Sequence, residues 1–559
     1  MVENKKAISM MIIGIIVGAL GIFFGFYSKL NPECEDCLDC PECPTCEDCP
    51  DCPDCIDLPE SIIVPDVMED AVYVSSKYGL DGSMRGTIDK PQKTLTYAIN
   101  YAKINNNDTI IIGKGVYNES VVLANGISLL GGYSENFSLY SLSYFPSVIM
   151  QNAGNTTIYG CDIDKNMVIE GLEIHGPVVH GASVNSYAFY LSNSNASLTI
   201  RNCTIFGGTA GDGADGSDGV NGANGGDGAS GANSKKATSL SDSVLGGSAG
   251  SAGGTEPGGE GGDSAVPATY DAQQGDGVTG DSGMGAEGGA GGSGGNGGNN
   301  GQINTGPVAQ MPSSGQINGQ PGDSGVDGLN GMGGDGATDQ TGNVILSEWS
   351  GSVGSIGTYG GDGGGGGGGG AGGGLDDPSS LDPLGAPYYG YCGASGGGGG
   401  SGGQGGAAGN GGDGGGGSFC IFIYYTSTES LIPKIYNNTL YLGAGGDGGD
   451  GGSGGVGGSG GLGGSGGSLG SNGFENCCGT GGSGGNGGDG GHGGGGGGGS
   501  GGCSVGIYGH GAESPNYGTS NQFIISTGVA GQAGSGGNSI GNPGTDGVAG
   551  MLNAVYYTL

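Results

Sequence analysis

Positive charge is scarce in this chain: 14 Lys plus Arg stand against 53 Asp plus Glu, and only two arginines occur, Arg85 and Arg201. Neutralising phosphates needs clustered Lys and Arg, so nucleic acid is not an expected partner, and anionic lipid headgroups are disfavoured for the same reason. Tryptophan is limited to Trp349. Beyond Phe206 large side chains become sparse, because nearly all of the 147 glycines lie there. Such a stretch cannot build an ordinary core: glycine brings no side chain and loses the most backbone entropy on ordering. Proline is nearly absent from the glycine triplets (Pro321 is a lone case in Gly319–Gly334), and that argues against collagen, which wants it in abundance at X and Y.

What is present begins with Ile8–Tyr27, twenty residues without a charge, the length that spans a bilayer core. Lys5 and Lys6 precede it, and an acidic run follows Lys29. The charge asymmetry orients residues 1–29 as a cytoplasmic stub and single-pass signal anchor, with the rest of the chain extracellular. A cleaved signal peptide is the rival reading, but its apolar region is normally shorter and ends in an Ala-x-Ala-like site, which is missing here.

Residues 30–63 form a Cys/Pro-rich stretch in which Cys34, Cys37, Cys40, Cys43, Cys46, Cys49, Cys52 and Cys55 recur every third position. Interspersed prolines exclude an α-helix, and period three suits polyproline II. Neighbouring cysteines in such a rod sit about 9 Å apart, beyond the span of one disulfide. Facing cysteines of parallel chains are within reach, so the expectation is a disulfide-stapled stalk and a homo-oligomer. Cys-x-x-Cys pairs also serve as zinc ligands, but an oxidising exterior favours disulfides. Local intrachain loops are a third option.

From 64 to 206 short aliphatic and aromatic runs alternate with Asn/Gly turns: Val72–Val74, Thr109–Gly113, Val121–Leu123, Ile127–Tyr133, Met167–Gly176, Tyr187–Leu191 and Leu198–Gly207. One helix is expected, Thr94–Ala102. The run VYVSSKYGLDGSMRGTIDKPQKTLTYAINYAK, followed by DTIIIGKGVYNESVVLANGISLLGGY, resembles the opening of pectin-lyase-like right-handed parallel β-helix domains. That resemblance implies an all-β fold: a capping helix closes the first coil, and stacked coils extend a core by repetition.

The remainder, 207–559, carries strict glycine triplets, including Gly213 to Gly231, often with Asp or Asn before each glycine, and GGx units over Gly445–Ser468 and Gly481–His492. The GGx form suits packed polyglycine II helices, whose small residues let backbones approach on several sides. A flexible linker is the alternative, though it needs no strict register. Three strand-rich units, 186–208, 418–446 and 504–531, frame the triplets and read as further coils with the triplets leaving at equivalent corners.

Catalytic signals are weak. Gly509-His510-Gly511 matches a polygalacturonase triplet, yet Asp376-Asp377 lies in a Gly/Pro loop and no Lys or Arg follows His510. Arg201, the one arginine on an expected coil, has neutral sequence neighbours. Asp-Gly repeats without an aliphatic residue per nine-residue unit leave room only for weak surface calcium. No catalytic residue, cofactor or dedicated metal site is expected. The expected function is that of a membrane-anchored structural or adhesive surface protein with a glycan or host-surface ligand. A carbohydrate-binding or carbohydrate-cleaving β-helix is the alternative. An ice-binding protein is a third, because glycine-triplet bundles resemble an arthropod antifreeze type.

Overall fold

Contacts divide the chain into Met1–Ile62 and Ile63–Leu559. The computed structural model describes residues 62–236, 242–251, 256–265, 277–285, 289–299, 301–302, 317–376, 391–429, 431–470, 478–513 and 515–558. The expected anchor, Ile8–Tyr27, and the cysteine ladder, Cys34–Cys55, therefore lie outside the described residues. Among the described residues no helix is long and apolar enough to cross a membrane.

Short apolar runs, alternating in burial as in Met167–Glu170 or buried throughout as in Ser186–Ser192, form eighteen strands that visit three faces in turn. The first face holds β1 (Val72–Val74), β2 (Thr109–Gly113), β5 (Ser128–Tyr133), β8 (Met167–Glu170), β11 (Leu198–Arg201) and β14 (Lys434–Tyr436). The second holds β3 (Gly115–Asn118), β6 (Ser147–Met150), β9 (Leu172–His175), β12 (Thr204–Phe206), β15 (Thr439–Tyr441) and β17 (Gln522–Ile524). The third holds β4 (Val121–Val122), β7 (Thr156–Cys161), β10 (Ser186–Ser192), β13 (Ser418–Glu429), β16 (Ser504–Ala512) and β18 (Leu552–Thr558). All three six-stranded sheets are parallel, an arrangement consistent with a β-helix.

Each sheet sends inward an aliphatic or aromatic ladder with one rung from each of its six strands. Val72, Ile110, Leu129, Ile169, Ile200 and Ile435 stack in the first. Tyr117, Ile149, Ile174, Ile205, Leu440 and Phe523 stack in the second. The third stacks Val121, Ile158, Phe189, Ile421, Ile507 and Val555. Most of these side chains are wholly buried and form one continuous core, so the core lengthens by one rung per coil.

Two expected single runs are each divided into two strands. Met167–Gly176 bends at Gly171 (φ 70°) and Leu198–Gly207 at Asn202 (φ 52°), with Asn437 (φ 56°) at the equivalent place one coil later. Glycine and asparagine tolerate this left-handed turn, which swings the chain from the first face to the second. At the start of the solenoid, α1 (Leu95–Asn105) buries Leu95, Ala98, Ile99 and Ala102 against the first coil. Thr94 caps it, and Glu119 accepts hydrogen bonds from the backbone N–H groups of Leu95 (2.8 Å) and Thr96 (2.9 Å). A carboxylate there satisfies orphan donors and suits the helix dipole.

The glycine stretches leave from one corner only, between the second and third faces. Residues 207–417 connect β12 to β13, residues 442–503 connect β15 to β16, and residues 525–551 connect β17 to β18. They depart in step: Val178, Thr209, Ala444 and Val529 are bridged in a parallel ladder just beyond the second sheet.

Candidate interaction surface

Outside the solenoid, backbone hydrogen bonds replace side-chain packing. Along 363–373 the N–H donors rotate with period three. Gly363, Gly366 and Gly369 donate to Gly403, Gly400 and Gly397. Gly364, Gly367 and Gly370 donate to Val326, Asp323 and Gln320, while Gly365, Gly368 and Ala371 donate to Met284, Asp281 and Val278. The carbonyls of the same segment accept from 259–262, 292–298 and 482–488. One segment thus touches six others, as a threefold helix can when each residue turns the chain by a third of a revolution.

Glycine content tracks position in this bundle. Interior segments such as 363–372 and 493–499 are almost pure glycine and buried at every residue. Surface GGx segments such as 445–468 bury the second glycine and mostly expose the third position. Segment 212–233 faces the bundle with one glycine per triplet and exposes the other two positions. At Gly213, Gly216 and Gly219 an added Cβ would meet the carbonyls of Asp413, Asn410 and Ala407 inside any real contact distance.

The Asp and Asn residues preceding those glycines have a specific task. Oδ1 of Asp212, Asp215, Asp218, Asn221, Asn224 and Asp227 accepts from the N–H of Asp447, Asp450, Ser453, Val456, Ser459 and Leu462, at 2.7–3.0 Å. The next segment repeats the device, since Gln532 and Ser535 donate to Asp447 and Asp450 at 2.7 Å. A surface segment has no neighbour on its outer side, so its outward N–H would be left to solvent. A short side chain from the adjacent segment takes it instead. These oxygens are thereby committed to backbone donors. Among the described residues no group of three His, Cys, Asp or Glu side chains is arranged to hold a metal.

Exposed apolar side chains recur at third positions. Val326, Leu329 and Met332 follow one another on one segment, and Val353, Ile356 and Tyr359 on its antiparallel neighbour. Leu329, Met332 and Tyr359 are each more than two-thirds exposed.

On the outer side of the third sheet, Tyr159, Tyr190, Phe422, Tyr508 and Tyr556 stack coil on coil. Part of this ladder is covered by a hairpin from the 207–417 excursion, Asn343–Ile345 paired with Glu348–Ser350. Its Trp349 is buried against Phe419, Tyr190 donates to the Ser347 carbonyl at 2.6 Å, and Asn185 donates to the Trp349 carbonyl at 2.6 Å. This strap is not among the elements expected from the sequence. The alternation in Asn343–Ser350 around the sole tryptophan was the available signal.

The residues weighed for catalysis fall apart. His510 stacks on Tyr424 (5.7 Å between centroids, 3° between planes), and its Nδ1 lies 2.8 Å from the Thr558 hydroxyl. Its rungs on the adjacent coils are thus Tyr424 and Thr558, not carboxylates. Burial lowers its basicity. Asp376 lies in a two-residue strand of the bundle, remote in sequence from the solenoid coils, and Asp377 is outside the described residues. Arg201 corrects the sequence reading: its chain neighbours are neutral, but the preceding coil sets Glu170 beside it at 2.7 Å, and Tyr436 lies at 3.3 Å on the next. Burial pushes the Cys203 and Cys420 thiols up to about 12, so neither is a thiolate at neutral pH. Compared with known families, curated proteins and solved structures, the chain matches none.

Proposed function

We propose that this is a non-catalytic structural and adhesive surface protein, held at its N-terminal end by a single-pass anchor and facing outward. In this reading the three-faced solenoid is a right-handed, pectin-lyase-like β-helix, and the glycine excursions are a polyglycine II bundle that displays side chains. The observation that carries it is the fixed third-position exposure of a hydrogen-bonded bundle. Exposed side chains such as Leu329 and Tyr359 sit on a backbone braced on several sides, so they meet a partner without the ordering cost of a loop. The acidic, basic-poor composition supports a solvated exterior. The sequence reading of an interchain disulfide stalk at Cys34–Cys55 belongs to the same proposal.

The test is display and adhesion by cells expressing the full chain. An epitope placed near residue 540 is expected to be labelled on intact cells, and those cells to adhere or clump. Labelling only after permeabilisation would overturn the surface reading. A variant lacking 317–362 that is displayed yet adheres as well as the parent would overturn the bundle's role.

A further inference from the structure

Parallel solenoids expose strand edges at both ends, and isolated proteins normally cap or charge them. The two ends of this solenoid are treated differently. At the start, α1 covers the first coil, and the free side of β1 is occupied: Tyr73 donates to the Gly86 carbonyl and Gln92 donates to the Tyr73 carbonyl. That end is also dense in charge, with Lys77, Asp81, Arg85, Asp89, Lys90, Lys93 and Lys103 in its cap. At the far end, a one-turn helix, Tyr517–Ser520, bonds to the first sheet, where Tyr517 donates to the Pro433 carbonyl and Ser520 to that of Ile435, and it touches β17 and β18 from the core side, where Tyr557 donates to the Pro515 carbonyl at 3.0 Å. β18 is the outermost strand of the third sheet. Among the described residues no backbone hydrogen bond reaches its outer edge.

That edge also lacks the usual guards. From residue 514 onward, Asp546 is the lone Asp, Glu, Lys or Arg, in a chain of net charge −39. β18 reads LNAVYYT, rich in strand-forming residues and free of proline. Two copies brought together elsewhere would set carboxylates against carboxylates. Here they meet without that repulsion.

We propose that β18 pairs with β18 of a second copy of this chain, edge to edge and antiparallel, about a twofold axis. A twofold contact uses the same strand on both sides and closes after two chains, so an open edge does not propagate into a fibre. The third sheets of the two copies then run on as one. β18 lies at the opposite end of the solenoid from β1, so the joined pair carries its two first coils at its outer ends.

The full chain in neutral detergent, with reductant present to open any disulfide in the cysteine stretch, is expected to show a concentration-dependent monomer–dimer equilibrium by sedimentation velocity. Leu552→Lys combined with Asn553→Lys is expected to raise the dissociation constant at least tenfold, and Asn553→Asp alone by a smaller factor. Ile104→Lys on α1 is expected to leave it unchanged. Unaltered Trp349 emission certifies that the variants are folded. A monomer at every concentration overturns the proposal, as does a dimer indifferent to the edge variants or an open-ended series of larger species. None of these outcomes touches the labelling of intact cells, which tests the surface reading separately.

Discussion

At the scale of single residues, this protein turns the ordinary rules of side-chain packing around. In the bundle interior the tight contact is backbone on backbone, and an added methyl is an intrusion. Gly367→Ala would drive its Cβ into the Ser293 carbonyl. It is expected to destabilise by about 1–3 kcal/mol or more. The exposed Ser459→Ala should stay within about 0.5 kcal/mol. Thermal unfolding of the two variants checks the contrast, and equal shifts would refute it. The Asx ladder makes a second contrast. Asp215→Ala removes the acceptor for the Asp450 N–H and is expected to cost about 1 kcal/mol. Asp215→Asn keeps an Oδ1 in place, as Asn221 and Asn224 already do, and should lose less. An equal loss from Asn and Ala would show that charge, not acceptance, is the role.

Among the elements, the Asn343–Ser350 hairpin and the His510 rung carry testable consequences. Trp349 is 2% exposed and fastens the bundle excursion to the third sheet. Trp349→Ala is expected to cost about 3–5 kcal/mol locally. Quicker protease cleavage within 337–352 should follow, and unchanged cleavage would sink the idea of a strap. His510 is less basic than an ordinary imidazole because burial disfavours its charged form. The unfolded chain then binds the proton more readily than the folded one. Its contribution is therefore intact at neutral pH, starts to fall as the pH drops below the ordinary value of 6.5, and is lost below the lowered folded value. Replacing it as His510→Phe should make the drop in melting temperature between pH 7.5 and pH 5 shallower. A steeper drop in the variant would reverse the assignment.

For the whole molecule, the decisive matter is that one corner of the solenoid emits every long excursion. Because 207–417, 442–503 and 525–551 leave through the Val178–Thr209–Ala444–Val529 ladder, their first triplets arrive already in register. Gly213, Gly216 and Gly219 bond to Asp447, Asp450 and Ser453 at a constant offset along the chain. Hydrogen exchange is expected to divide the glycines accordingly. Amides within 363–372 and 493–499 should be protected like core strands, while solvent-facing backbone exchanges quickly. Uniformly fast exchange across these segments would show that the bundle is not ordered.

Much of this was legible in the chain as written. Thr109–Gly113 and Val72–Val74 were readable to the residue, because a short apolar run between turn residues has few other uses. The helix at 95–105 ran three residues past the expected end, since Asn106 rather than Ala102 supplies the left-handed stop. Strands β3, β6 and β7 escaped notice because their polar residues dilute the alternation. The triplet period matches the period-three rotation of hydrogen-bond donors along 363–373, and the number of glycines per triplet records how many sides of each segment are crowded. Those are local properties, written into each stretch by what its own backbone tolerates. Which segment lies beside which was not local. Glycine has no side chain with which to choose a partner, so the pairing of 213 with 447, the meeting of Arg201 with Glu170 and the docking of Trp349 were decided by where the solenoid places the ends of each excursion.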